Sequence, residues 1–287
     1  MDTQVVLAIL GAAALHASWN AIAKGRSGSD PLAGAVLIAV GCGAVAMPVL
    51  AVAGLPARAS LAAVIASGII HVAYFLLVGL SYRLADLSAV YPLMRGGAPL
   101  ITTLLGAALI GETLGAGMLG GVVLLSAGVV GLGYHALRNG GLDRRGLAVA
   151  VLNIGVIVAY TLTDGIGTRQ SGNTAGYLAA TMLLTAVLLV GLIAATRGAL
   201  IGGAGVAGDL VARWPMALLS GAMAMASYGI ALWAMTRAPI GAVAALRETS
   251  VLFGAALGAV VLGERFGPAR WIAAVAIVAG LMLIKAG

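Results

Sequence analysis

Apolar residues run along this chain in long unbroken blocks, and the breaks between them are short, polar and rich in Gly, Pro and Arg. A helix needs about 20 mostly apolar residues to cross a bilayer core of about 30 Å. Blocks of that length fall at about 4–23, 31–53, 60–81, 87–110, 115–134, 146–166, 174–196, 214–235, 240–262 and 268–285. They predict ten membrane-spanning helices. The pattern argues against a membrane barrel, whose strands are about half as long and alternate between apolar and polar positions. The polar stretch RNGGLDRRG (138–146) is the clearest break, with five spans on either side of it.

The two sides repeat one another. Placing Arg95 on Arg247, a shift of 152 residues, puts Leu105-Gly106-Ala107 on Leu257-Gly258-Ala259 and Gly111-Glu112 on Gly263-Glu264. The same shift puts Gly115 on Gly267 and Ala127-Gly128 on Ala279-Gly280. One residue of slack adds Ala89-Val90 on Ala242-Val243 and Ser67-Gly68 on Ser220-Gly221. The expected organisation is a first repeat over 1–137, a linker over 138–145 and a second repeat over 146–287. Five spans is an odd number, so the second repeat enters the membrane from the opposite side. The fold class is therefore an all-α integral membrane protein of two inverted five-helix repeats, a plan that places a substrate near the midplane between the repeats.

Composition excludes the soluble alternative. Of 287 residues, 62% are apolar and 9% charged, with a mean hydropathy of +1.11. A soluble domain carries roughly a quarter charged residues. The net charge of +7 does not point to nucleic acid, because the basic residues sit in short loops between the blocks. The single cysteine, Cys42, excludes an internal disulfide framework. The first block starts near Gln4 with no cleavable leader pattern. The side holding both termini carries Arg58, Arg169, Arg237 and Lys285. The opposite side carries Lys24, Arg26, Arg83, Arg138, Arg144, Arg145, Arg197, Arg213, Arg265 and Arg270. The richer side is expected to be cytoplasmic, with both termini outside.

Charged and polar groups inside the blocks are the candidate chemistry. Arg95 and Arg247 fall near the middle of their spans, where a charge costs at least about 2.5 kcal/mol and must face protein or water. Each either ties together backbone groups freed by Pro92, Pro99, Gly96 and Gly97 or lines a substrate path. Glu248 is expected either to reach Arg95 across the bundle or to serve a substrate or proton. His16, Trp19 and Asn20 cluster on the first span, His71 and Tyr74 on the third, and Tyr91 lies one turn before Arg95. Asn153, Tyr160 and Asp164 share a stripe of the sixth span, and Ser227, Tyr228 and Trp233 lie on the eighth. Any one of these reads as an interhelical hydrogen bond; together they read as a lining. Glu112 and Glu264, each at the start of a helix, are expected to cap it. Gly117-x-x-x-Gly121 permits close helix packing, and Tyr134, Trp214 and Trp271 are placed as interfacial anchors.

Two five-helix halves, each with a fourth helix ending in Gly-Glu before a Gly-rich fifth, resemble the EamA family of the drug/metabolite transporter superfamily. LHASWNAIAKG, DLSAVYPLMRG, AYTLTDG and ALRETSVLFG are similar to one bacterial branch of it, and the chain looks like the YddG-type exporters of aromatic amino acids. The small multidrug relatives carry a carboxylate in their first helix. Here that helix has His16, Trp19 and Asn20, so their proton coupling does not carry over. The loop after the second span, GLPARAS, holds only Arg58, where many relatives are more basic.

The resemblance implies an inner-membrane secondary transporter, expected to be monomeric, with a small-molecule substrate, the lipid bilayer around it and no cofactor. Arginines, carboxylates and aromatic rings suit a zwitterion: Arg takes the carboxylate, Asp164 or Glu248 the ammonium, and the rings an apolar or aromatic side chain. An exporter of drug-like or other organic anions or cations stands as the alternative. An intramembrane enzyme is disfavoured because the His residues are scattered and no nucleophile–base spacing is present. A passive channel is disfavoured by a site at the midplane. No Walker-type motif for an ATP-driven pump occurs.

Overall fold

The computed structural model describes the backbone of residues 1–25, 31–84, 87–113, 115–140, 144–196, 205–254, 256 and 267–286. Side chains are described for these residues except 19–25, 31, 82, 87–91, 135–140, 144 and 205–211. The described chain is helical, without a strand. Its helices are α1 (Thr3–Gly25), α2 (Pro31–Ala53), α3 (Leu61–Leu84), α4 (Leu87–Ile110), α5 (Ala116–Gly140), α6 (Arg144–Ser171), α7 (Thr174–Ala195), α8 (Gly205–Met235), α9 (Ile240–Arg247) and α10 (Pro268–Ala286). A 3₁₀ turn, Arg58–Ser60, precedes α3.

Among the described residues, eight helices are long and apolar enough to cross a bilayer; Thr3–Ser18 of α1 is a shorter apolar segment. Burial is inverted relative to a soluble protein. Val52, Leu109, Ile272 and Val275 are exposed, whereas His71, Arg95, Asn153, Asp164 and Glu248 are buried. Apolar side chains outside and charges inside fit a lipid solvent. This is a multi-pass membrane protein. Tyr134, Trp214 and Trp271 are exposed.

The continuous span expected over 240–262 is not what the structure contains. α9 ends at Arg247, Glu248 and Thr249 form a turn, and helical backbone resumes at 250–254. The amides of Glu248, Thr249, Val251 and Leu252 each donate to the carbonyl three residues back, and the Thr249 hydroxyl donates to the Leu246 carbonyl at 2.7 Å. A threonine hydroxyl competing for a helix carbonyl promotes such a tightened turn. In the eighth span, Arg213 is non-helical (φ −118°, ψ 17°) just before Pro215, so α8 bends where the predicted span began.

Several of the helix contacts, though not that of α4 with α5, repeat when α1 is exchanged with α6, α2 with α7, α3 with α8, α4 with α9 and α5 with α10. α3 packs on α6 as α8 packs on α1, and α2 packs on α8 as α7 packs on α3. The pairs α2–α7, α4–α9 and α5–α10 map onto themselves. Details repeat too: the Cys42 thiol donates to the Gly221 carbonyl at 3.7 Å, and the Thr185 hydroxyl, which donates to the Thr181 carbonyl at 2.8 Å, lies 3.4 Å from the Gly68 carbonyl. At the α5–α10 seam, a Cβ on Gly121 would stand 2.6 Å from the Gly280 carbonyl oxygen, and one on Gly280 2.7 Å from that of Gly121. Only glycines allow this approach.

The start of α1 and the end of α10 lie together, where the Met1 ammonium donates to the Lys285 carbonyl at 3.0 Å. At the α6 C-terminus, Arg169 donates to Glu112 at 2.7 Å, to the Met235 carbonyl at 2.8 Å and to the Ala238 carbonyl at 3.0 Å. Glu112 was expected to cap its own following helix. Its carboxylate instead accepts from the Ile240 amide at 3.0 Å, at the start of α9. The negative group still meets a helix N-terminus, but one brought to it by the fold. Glu264 lies outside the described residues.

Candidate functional site

The helices that enter the middle of the bundle bring polar residues there from their interiors or, for α9, from its last turn. Arg95 is eight residues into α4 and Arg247 seven into α9, which puts each roughly 10–12 Å from its helix start at 1.5 Å per residue. There a cavity of about 80 Å³ opens. The first half of the chain lines it with His16, Ile38, Cys42, His71, Tyr74, Phe75 and Arg95, and the second with Tyr160, Leu178, Met182, Ala224, Met225, Tyr228 and Arg247. Of the residues singled out from the sequence, His16, His71, Tyr74, Arg95, Tyr160, Tyr228 and Arg247 thus meet at one place.

The two arginines are in different electrostatic states. Arg95 Nε donates to Glu248 Oε2 at 3.0 Å, both side chains about 5% exposed. This is the ion pair across the bundle, and it joins the two halves. Arg247 lines the same cavity but meets no carboxylate among the described residues. Its guanidinium carbon lies 4.9 Å from the centre of the Tyr228 ring, a cation–π contact. Glu248 faces a second, water-sized cavity of about 10 Å³ beside Arg95, Thr102 and Thr161.

The aromatic wall is continuous. The His71 ring lies 4.5 Å from Tyr160, Tyr160 lies 5.2 Å from Tyr74, and Tyr228 lies 6.0 Å from Tyr160. Such edge-to-face and tilted contacts stiffen the wall. Opposite it, Ile38, Leu178, Met182 and Met225 provide an apolar face.

Asp164 lies behind this wall, fully buried and not on the cavity surface. Oδ1 accepts from the Tyr177 hydroxyl at 2.8 Å and Oδ2 from the Tyr228 hydroxyl. His71 Nε2 stands 4.0 Å from Oδ2, while its Nδ1 is 3.0 Å from both the hydroxyl and the carbonyl oxygen of Ser67. Trp233 sits away from the cavity, with the Arg237 guanidinium 4.6 Å above its ring. Asn153 donates to the Met94 sulfur at 3.1 Å, and Ser227 to the Ala12 carbonyl at 2.8 Å, so both serve helix packing. The side chains of Trp19, Asn20 and Tyr91 lie outside those described. Sequence reasoning did not single out Tyr177 or the apolar face. Tyr177 carried a signal, as a phenol inside the very apolar seventh span. Leu178, Met182 and Met225 carried none, being indistinguishable from ordinary core residues.

Among the described residues, no three His, Cys, Asp or Glu side chains are grouped as a metal site. What the cavity offers is a cation, a row of rings and an apolar face. Residues 146–286 match the EamA-like transporter family. This half of the chain is similar to EamA-like domains. The match likens this half of the chain to a family of membrane transporters. The matched half contributes Tyr160, Asp164, Tyr228, Arg247 and Glu248, and the preceding half contributes His16, His71, Tyr74 and Arg95. A solved crystal structure shares the fold, with a TM-score of 0.73 at 19% identity over 99% of this chain and 96% of its own. At that identity the likeness concerns the fold alone. None of the curated proteins matches the chain.

Proposed function

We propose that the protein is an inner-membrane secondary transporter that exports amino acids and related small carboxylates with apolar or aromatic side chains, by alternating access. The observation that carries this reading is Arg247, a cavity-lining cation that stacks on the Tyr228 ring and forms no salt bridge among the described residues, while Arg95 is matched by Glu248. A buried cation without a carboxylate is costly, and a substrate carboxylate offsets that cost through charge-assisted hydrogen bonds. The rings and the apolar face receive the side chain.

Ten spans in two inverted five-helix repeats, 1–137 and 146–287, are part of the proposal. Its support is the set of helix contacts that repeat on exchange, the meeting of the α1 start with the α10 end and the equal contribution of the halves to the cavity. Two near-equivalent halves supply two near-equivalent conformations. Export and both termini outside rest on the sequence motifs and the Lys/Arg bias. The unit is a monomer in the bilayer.

One observation favours a second reading, export of organic anions that lack an ammonium group. Among the described residues, no carboxylate lines the main cavity, since Glu248 is engaged by Arg95 and Asp164 lies behind Tyr228. Counterflow in proteoliposomes separates the two. With labelled tryptophan as the tracer, unlabelled tryptophan and phenylalanine are expected to drive exchange, and the corresponding 2-oxo acids to do so poorly. Equal exchange by the oxo acids favours the anion reading. No exchange by either sinks both.

A further inference from the structure

The cavity between the halves is small for the larger substrates proposed. Its volume is about 80 Å³, whereas an apolar cavity of about 150 Å³ is one that accepts benzene. It has room for a carboxylate on Arg247 with a small side chain, and not for one that carries a phenyl or indole ring. The missing volume has to come from a part of the wall that moves.

Most of the wall is tied. Arg95 is held by Glu248, and the Tyr228 hydroxyl by Asp164. His71 is fixed at Ser67 and lies against Tyr160, which Tyr74 meets edge-on. The backbones under the apolar face are seated just as closely. To that face α2 brings Ile38, α7 brings Leu178 and Met182, and α8 brings Met225. A Cβ on Gly41 of α2 would overlap the Ala217 carbonyl of α8, and one on Gly43 of α2 would overlap the Ala186 side chain of α7. Side-chain rotation is the freedom that remains. Ile38 is β-branched and stiff at χ1. Methionine is unbranched, with three rotatable bonds and a polarizable thioether, and adapts its shape to its surroundings.

We propose that Met182 and Met225 determine the size specificity of this site as an adjustable filter. Their thioethers fill the apolar face when the substrate side chain is small and rotate away to admit an aromatic one. Methionine-rich surfaces that repack are how one site accepts several ligands. The inference rests on the transport reading above. Its consequence is that bulk and flexibility at these two positions have separable effects. Stiffening them penalises large substrates, and removing their bulk favours large substrates over small ones.

The test is counterflow in proteoliposomes of the full-length protein, with half-saturating concentrations measured for alanine, leucine, phenylalanine and tryptophan. The readout is the tryptophan-to-alanine ratio of these concentrations within one variant, which a general loss of folded protein does not move. Met182→Ile with Met225→Ile keeps most of the bulk, an exchange of the kind that cores tolerate. It should raise the ratio roughly tenfold or more, the discrimination that a single methylene produces in an apolar pocket. Met182→Ala with Met225→Ala removes the bulk and should lower the ratio by roughly as much. If the alanine pair does not accumulate, the isoleucine pair decides alone. A ratio that stays unchanged in either double variant, or moves the same way in both, overturns the filter and leaves the transport reading standing. Wild-type exchange of alanine without tryptophan also overturns the filter, because the methionines then do not yield. Exchange of none of the four overturns both readings.

Discussion

At the scale of single residues, Arg95 and Arg247 have the same sequence setting and opposite surroundings. Arg95 is matched by Glu248, and removing one partner of such a buried pair leaves an uncompensated charge, costing about 3–5 kcal/mol. Arg95→Met alone is therefore expected to lower unfolding stability by about that amount. Arg95→Met combined with Glu248→Leu should regain most of it. Denaturant-induced unfolding of the purified variants measures both, and additive losses in the double variant would refute the pairing. Arg247→Gln should behave differently. It removes a charge that meets no carboxylate among the described residues, so folding is expected to be preserved while substrate affinity falls. A charged hydrogen bond is worth about 1.5–3 kcal/mol, hence a rise in half-saturating substrate of roughly 10–100-fold. Wild-type counterflow kinetics in Arg247→Gln would refute its role.

At the scale of elements, contacts between helix ends and helix faces decide the arrangement. Glu112 reaches from the α4–α5 connection to cap α9 and to hold Arg169 of α6. Loss of a helix cap costs about 1 kcal/mol, and Glu112→Ala also strips the solvent-accessible Arg169 of its carboxylate partner. The expected result is a loss of about 1–3 kcal/mol, read as a lower thermal midpoint, whereas Glu112→Gln, which keeps the acceptor, should lose less. At the α5–α10 seam, Gly121→Val places two methyl groups where the Gly280 carbonyl already stands. Overpacking of this kind costs about 1–3 kcal/mol or more, so the variant is expected to yield less folded protein in the membrane than Gly120→Val, whose Cβ meets open space. Equal yields by fluorescence-detected size exclusion would show that the seam yields easily.

At the scale of the whole molecule, the two halves meet around one cavity. Tyr74 and Tyr160, one from each half, stand with ring centres 5.2 Å apart. In a Cys42→Ser background, saturating substrate is expected to slow thiol labelling several-fold in both Tyr74→Cys and Tyr160→Cys. Protection at only one would place the substrate within a single half. The background itself should fold, because a serine hydroxyl at this position can donate to the carbonyl four residues back, as the buried Thr185 hydroxyl does to Thr181 at 2.8 Å.

The sequence by itself determined the helical membrane class, most helix positions and the residues that had to avoid lipid. Burial in a bilayer leaves a local signature: an apolar block of fixed length, and a heavy cost for each charge within it. Arg95, Arg247, Asp164 and His71 stood out for that reason. Tertiary structure decided which of these groups meet. It matched Arg95 with Glu248, 153 residues away, left Arg247 against a ring, and placed Asp164 behind the cavity instead of on it. It also broke the ninth span after Arg247 and moved the cap of Glu112 onto α9. These outcomes depend on the relative rotation and depth of helices distant in the chain. That geometry is set by side-chain packing between elements, through close glycine contacts such as Gly121 on Gly280, and no single apolar block encodes it.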